Sequence, residues 1–240
     1  MSIALECKKL KRTGALPAFF GGGIIASAIP VINMAARSEL YLDMDLPPIR
    51  ILLNANWQMM SMLNLLLIIA GTCLLYHIEF SDNAMQKMRA LPLRESSMFF
   101  QKVILTIALC AVVLLLEAGA VTFCTTHWFQ MEADFQAELF KNFAYEFCLL
   151  LPCIALSMLL ASIFENMWIS LGIGVICVFT ATLLPTDHFL LSLFPFAAPF
   201  QLLPETDPAQ TAQYVCAMLI ELIVISLAEL IFVRRRRDFQ

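Results

Sequence analysis

Six long apolar runs divide the chain, at about 17–36, 57–78, 98–125, 143–164, 168–184 and 213–233, with polar segments of uneven length between them. A helix that crosses a membrane needs about 20 mostly apolar residues to cover roughly 30 Å of hydrocarbon. Each run is near that length. A spanning segment must satisfy its own backbone hydrogen bonds, so the pattern predicts an all-α bundle of six membrane helices. The runs recur along the whole chain, leaving no stretch for a separate soluble domain. Residues 1–240 are therefore expected to form one transmembrane domain, of which 1–16 is an amphipathic N-terminal segment.

Composition agrees with this reading. The chain is 60% hydrophobic and 14% charged, against about a quarter charged in an ordinary soluble domain. The first run follows "KKLKR" and has the position of a signal peptide, but its apolar core of about 20 residues exceeds a signal h-region. It is read as a span. Twelve of the 15 Lys and Arg fall before span one, between spans two and three, or after span six. The positive-inside rule then places both termini in the cytoplasm. The other side carries Arg37, Arg50 and Lys141 against nine acids, among them Glu39, Asp43, Asp45, Glu132, Asp134 and Glu138. That acidic outer face is either the residue of depleting outer Lys and Arg or an attractor for a cationic ligand.

Little in the chain suggests chemistry of its own. There is no CxxC or Cys/His cluster, so no metal is expected. Cys124 and Cys148 both lie near the outer face and could pair. His77, His127 and His188 are isolated, and HExxH and GxSxG are absent, so no catalytic residue is assigned. "GGG" at 21–23 has no following GK[ST]. It reads as close helix packing, with Gly22, Ala26 and Pro30 on one face, and "GIG" at 172–174 reads the same way. No cofactor and no nucleic-acid partner is expected.

Four acids interrupt the apolar runs: Glu117, Glu146, Glu221 and Glu229. A carboxylate at that depth is costly and marks a functional candidate. Glu146 is expected near an interface, in reach of water, and Glu229 near enough to Arg234 to pair with it. Glu117 and Glu221 lie deeper and either pack helices or line a polar path. The outer stretch over 185–208 is apolar but holds Pro195 and Pro199, which forbid a straight span. It is expected as a re-entrant helix pair or a lid, with Phe194 and Phe196 offering aromatic surface.

The segment "FSDNAMQKMRALPLRESSMFFQK", 80–102, is too long for a simple turn. A helix is predicted from about Asp82, N-capped by Asp82 or Asn83 and stopped at Pro92. Met85, Met88 and Leu91 share one face, which suits either a groove on a cytoplasmic partner or the lipid headgroups.

With these features the chain resembles the ABC-2-type permease subunits of ATP-driven exporters. "ECKKLKRTG" is similar to the family's amphipathic helix before span one, and "DNAMQKMRALPLRESSMFFQK" to its coupling helix between spans two and three. "SIFENMWISLGIGV" is similar to its tight cytoplasmic turn, and "LFPFAAPF" stands where its outer re-entrant element stands. Within the family the likeness is to bacterial lantibiotic self-immunity permeases. The resemblance implies a plasma-membrane complex of two permeases, similar or identical, on two ATP-binding subunits that hold ATP and Mg. It implies that Met88, Arg89, Ala90, Leu91, Pro92 and Arg94 touch the ATPase, with Glu165 and Asn166 close to it. The implied cargo is a cationic, amphipathic antimicrobial peptide taken from the outer leaflet, with Glu39, Asp43, Asp45, Phe194 and Phe196 as outer-face residues that meet it. The competing class is a membrane scaffold or sensor subunit that transports nothing.

Overall fold

A computed structural model describes residues 10, 14–80, 95–184, 189–203 and 208–238. Six long helices account for most of them: α1 Ala15–Leu42, α2 Pro48–Phe80, α3 Glu95–Trp128, α4 Phe135–Ile163, α5 Met167–Leu183 and α6 Pro208–Asp238. Among the described residues there is no strand. Five of the helices are long and apolar enough to cross a membrane, and α5, with 17 residues, is shorter.

Four of the helices, α1, α2, α3 and α6, overrun their apolar runs at both ends, while α4 and α5 each start before theirs and stop one residue short of its end. Pro48 opens α2, where a missing N–H is harmless. The Arg50 and Ile51 amides bond back to the Pro47 carbonyl. α1 starts after Gly14, whose φ of 71° is left-handed and accessible to glycine. It bends at Arg37, where the backbone leaves helical geometry, and runs on to Leu42. At the start of α5 the Asn166 side chain accepts a bond from the Trp168 amide at 3.0 Å, the usual service of an N-cap.

Helix α2 occupies the centre and touches α1, α3, α4 and α5, while α6 rests on α4. Its buried residues Trp57, Met60, Leu65, Ile68 and Ile69 form one core with Cys110 and Leu114 of α3, Phe143 and Leu150 of α4, and Val178 of α5. A second cluster, at the end where α1 starts and α6 finishes, joins Phe19, Leu75, Tyr76, Phe99 and Met158. We call this the terminal end of the bundle and the opposite one the far end.

Small residues bring the helices together as expected on α1. Ala26 and Pro30 are buried, and a Cβ on Gly22 would meet Leu67 at 2.7 Å. The "GIG" reading holds for half of the motif. A Cβ on Gly174 would lie 2.6 Å from Ile69 of α2, whereas Gly172 faces open space. Two residues apart on a helix are about 200° apart, so only one of the pair can face α2. Cys124 and Cys148 are both free thiols.

Candidate functional site

Polar side chains inside the bundle collect at three levels. At the terminal end, Lys102 lies two turns inside α3 with 1% of its surface exposed. Its ammonium donates to Glu79 Oε1 and to the Leu75 carbonyl of α2, each at 2.9 Å. It also sits 5.6 Å from the centre of the Tyr76 ring. Lys102 was expected as the last cation of the loop before span three; it is instead a buried strut between α2 and α3. Charge bookkeeping along the sequence could not separate these, because Glu79 stands on the other side of the loop. Glu229 of α6 accepts a bond from Ser162 Oγ of α4 at 3.1 Å, so it joins two helices as well. Its expected partner Arg234 has a side chain outside the described residues. So do Met88, Arg89, Ala90, Leu91, Pro92 and Arg94, with the whole of 81–94. Glu165 and Asn166 are exposed in the turn between α4 and α5.

The middle level is a four-residue network. Asn64 of α2 donates through one amide nitrogen to Glu117 Oε2 of α3 at 3.1 Å and to Glu146 Oε1 of α4 at 3.2 Å. Ser61, one turn away on α2, donates to the same Glu146 oxygen at 3.1 Å. All four residues are at most 1% exposed. Glu146 was expected near an interface and is fully buried. Its apolar run begins at 143, but α4 begins at Phe135, eleven residues before Glu146. At 1.5 Å per residue that is about 16 Å of helix. Sequence reasoning also missed Asn64 and Ser61. The available signal was their i, i+3 spacing within an apolar run, which puts both on one helix face. Glu221, considered together with Glu117, is half-buried on α6 and is not part of the network.

At the far end, residues 189–203 form one helical turn, Phe189–Ser192, and a 3-10 turn, Ala198–Phe200. The described residues 189–203 hold no pair of longer helices, and the expected re-entrant helix pair or lid over 185–208 extends beyond them. Within 189–203, proline-flanked carbonyls are met by side chains of the bundle. Trp57 Nε1 donates to the Pro199 carbonyl at 3.1 Å, and Cys153 Sγ to the Pro195 carbonyl at 2.8 Å. Ser192 and Tyr214 hydroxyls lie 2.6 Å apart and tie the segment to α6. Docked this way, Phe196 is a core residue with no exposed surface. It cannot offer the outer aromatic face expected of it, because the segment turns inward at the two anchored prolines. Phe194, 5.7 Å from the Phe196 ring, stays half-buried. Between the segment, α2 and α5 lies a cavity of about 240 Å³ whose lining includes Trp57, Gln58, Thr182 and Gln201. Glu39, Asp43 and Asp45 are exposed at the end of α1 and in the link after it.

Among the described residues, none of the three levels brings three or more His, Cys, Asp or Glu side chains together as a metal site. A family model described as ABC-2 family transporter protein matches residues 2–181, which takes in α1 to α4 and nearly all of α5. No curated protein and no solved structure matches the chain significantly.

Proposed function

The chain belongs to the ABC-2 family of transporter proteins, and on that premise we propose that this membrane permease works in an ATP-driven exporter of an amphipathic, membrane-associated compound. The family match over three quarters of the chain carries the reading. ATP and Mg belong to two ATP-binding partner subunits. The chain's own part is to convert their closure into helix movement beside a second permease subunit. In this reading α5 completes six spans, both termini are cytoplasmic in a bacterial plasma membrane, and the terminal end faces the ATPases. The segment over 82–95 docks on them, with Met88, Arg89, Ala90, Leu91, Pro92 and Arg94 at the contact and Glu165 and Asn166 beside it. The Glu79–Lys102 strut supports this assignment, since it joins the two helices into which that segment leads. A push on the segment is then delivered to α2 and α3 as a unit.

For the cargo we propose a cationic antimicrobial peptide of the lantibiotic kind. Support comes from the exposed acids Glu39, Asp43 and Asp45 and from the cavity beside Trp57 and Gln201. The acids raise the local concentration of a cationic peptide over a range of about 8 Å in physiological salt. The rival reading is a scaffold or sensor subunit that docks a partner through the same segment.

The test is ATP turnover of the purified complex with added peptide, alongside the peptide concentration tolerated by cells that express it. Stimulated turnover and raised tolerance are expected. Leu91→Asp places a charge on the apolar docking face, where burial without a partner costs several kcal/mol. It is expected to remove the stimulation while membrane insertion persists. Turnover indifferent to every compound tried would favour the scaffold reading. Stimulation by a different amphipathic compound would keep the exporter and discard the peptide.

A further inference from the structure

Export driven by ATP needs no ion, yet the middle of the bundle is built around two carboxyl groups. Glu117 and Glu146 each lie eleven residues from the far end of their helix, Glu117 from Trp128 and Glu146 from Phe135. They therefore meet at one height, about 16 Å in. Among the described residues neither has an ion-pair partner. The two donors of the Asn64 amide are both used, one on each carboxyl group. What remains without a hydrogen-bond partner is Asn64 Oδ1, Glu117 Oε1 and Glu146 Oε2. All three are acceptors, all are buried, and they come from three helices. Rotating the Asn64 amide would not mend this, because its oxygen would then face two carboxyl oxygens.

A network that has spent its donors and keeps only oxygens is complementary to a small positive ligand. Neutral donors alone do not offset a carboxylate held away from water. A divalent ion takes six or more oxygens in most sites, whereas this cluster leaves three free. We propose that Asn64, Glu117 and Glu146 form a binding site for a small monovalent cation, a proton or Na⁺, held between α2, α3 and α4. From α3, Cys110, buried two turns before Glu117, is a titratable group close enough to feel both carboxyls. Cys153 follows on α4, two turns after Glu146, with Glu221 of α6 beyond it. Ser61 and Asn64 are what α2 contributes.

Because the ligating groups sit on three helices, the site is complete only at one mutual register of α2, α3 and α4. A ligand that binds one arrangement better shifts the population toward it. Cation occupancy therefore favours the described packing over any arrangement in which α2 and α3 move relative to α4.

The test uses the purified full-length permease in its complex and needs no transport, so it stands or falls apart from the cargo assignment. Melting temperature is measured in NaCl and in choline chloride, and in sodium-free buffers from acidic to alkaline. If Na⁺ is the ligand, the melting temperature rises with the logarithm of Na⁺ concentration and not with choline. If a proton is the ligand, Na⁺ has no effect, pH does, and infrared spectra show a carboxylic acid band. Either response should be lost in Glu117→Gln/Glu146→Gln. Identical salt and pH responses in the wild type and that variant overturn the site. If the variant fails to assemble, the wild type decides alone: carboxyl infrared bands unmoved by both Na⁺ and pH overturn it.

Discussion

A cation buried two turns inside a membrane helix must keep its counter-charge, and Lys102 does so with Glu79 at 2.9 Å. Breaking such a pair by removing one partner costs about 3–5 kcal/mol, whereas replacing both with apolar groups is often close to neutral. Glu79→Gln should therefore lower the unfolding midpoint of the purified complex sharply. Glu79→Leu/Lys102→Met should recover most of the loss, although the Leu75 carbonyl then lacks its ammonium donor. Equal midpoints for the single and double variants would mean that the pair contributes little. At this scale the sequence was legible where a residue stood out from its neighbours. Glu117 and Glu146 were both conspicuous as acids in apolar runs. The depth of Glu146 was misread, since its run began only three residues earlier and gave no sign of the two helical turns before it. Lys102 was misplaced for a related reason: a charge at the edge of a run looks solvated unless its partner across the loop is seen.

Helices behave differently from residues in this respect. All six were visible in the hydropathy pattern, because long apolar stretches have few alternatives in lipid. Their ends were not, because apolar runs record contact with hydrocarbon while helices continue into the surrounding polar layers. The segment over 189–203 shows the limit most clearly. Pro195 and Pro199 ruled out a straight span, but their carbonyls find Trp57 and Cys153, residues far away in sequence. The rotation of α5 was equally hidden, and its two glycines give a direct check. Gly174→Ala must displace Ile69 at the α2 contact and should cost about 1–3 kcal/mol. Gly172→Ala meets nothing and should be neutral or stabilising by about 0.5–1 kcal/mol through helix propensity. Unfolding midpoints of the two variants read the difference. A reversed order would place α5 in another rotation.

Along the sequence the Lys and Arg gather in three segments, and that asymmetry sets the orientation proposed for the molecule. Single cysteines in a cysteine-free background test this directly. Asp43→Cys and Asp134→Cys should react with an impermeant thiol reagent added outside intact cells. Lys87→Cys and Arg235→Cys should react only after the membrane is opened. Labelling of position 87 from outside would overturn the six-span arrangement.

In that arrangement α5 is the odd member. Its 17 residues give about 25 Å of helix at 1.5 Å per residue, short of the roughly 30 Å hydrocarbon slab. Lipid beside a short helix can thin to match it, and the misfit is then held as elastic strain in the bilayer. The cavity beside Trp57 opens next to the end of this same helix, with Ala181, Thr182 and Leu184 in its wall. In the proposed arrangement, headgroups there would ride deeper than elsewhere around the bundle. An amphipath of the kind proposed as cargo would have less acyl chain to drag free on its way out, and the membrane itself would become a compliant part of the machine.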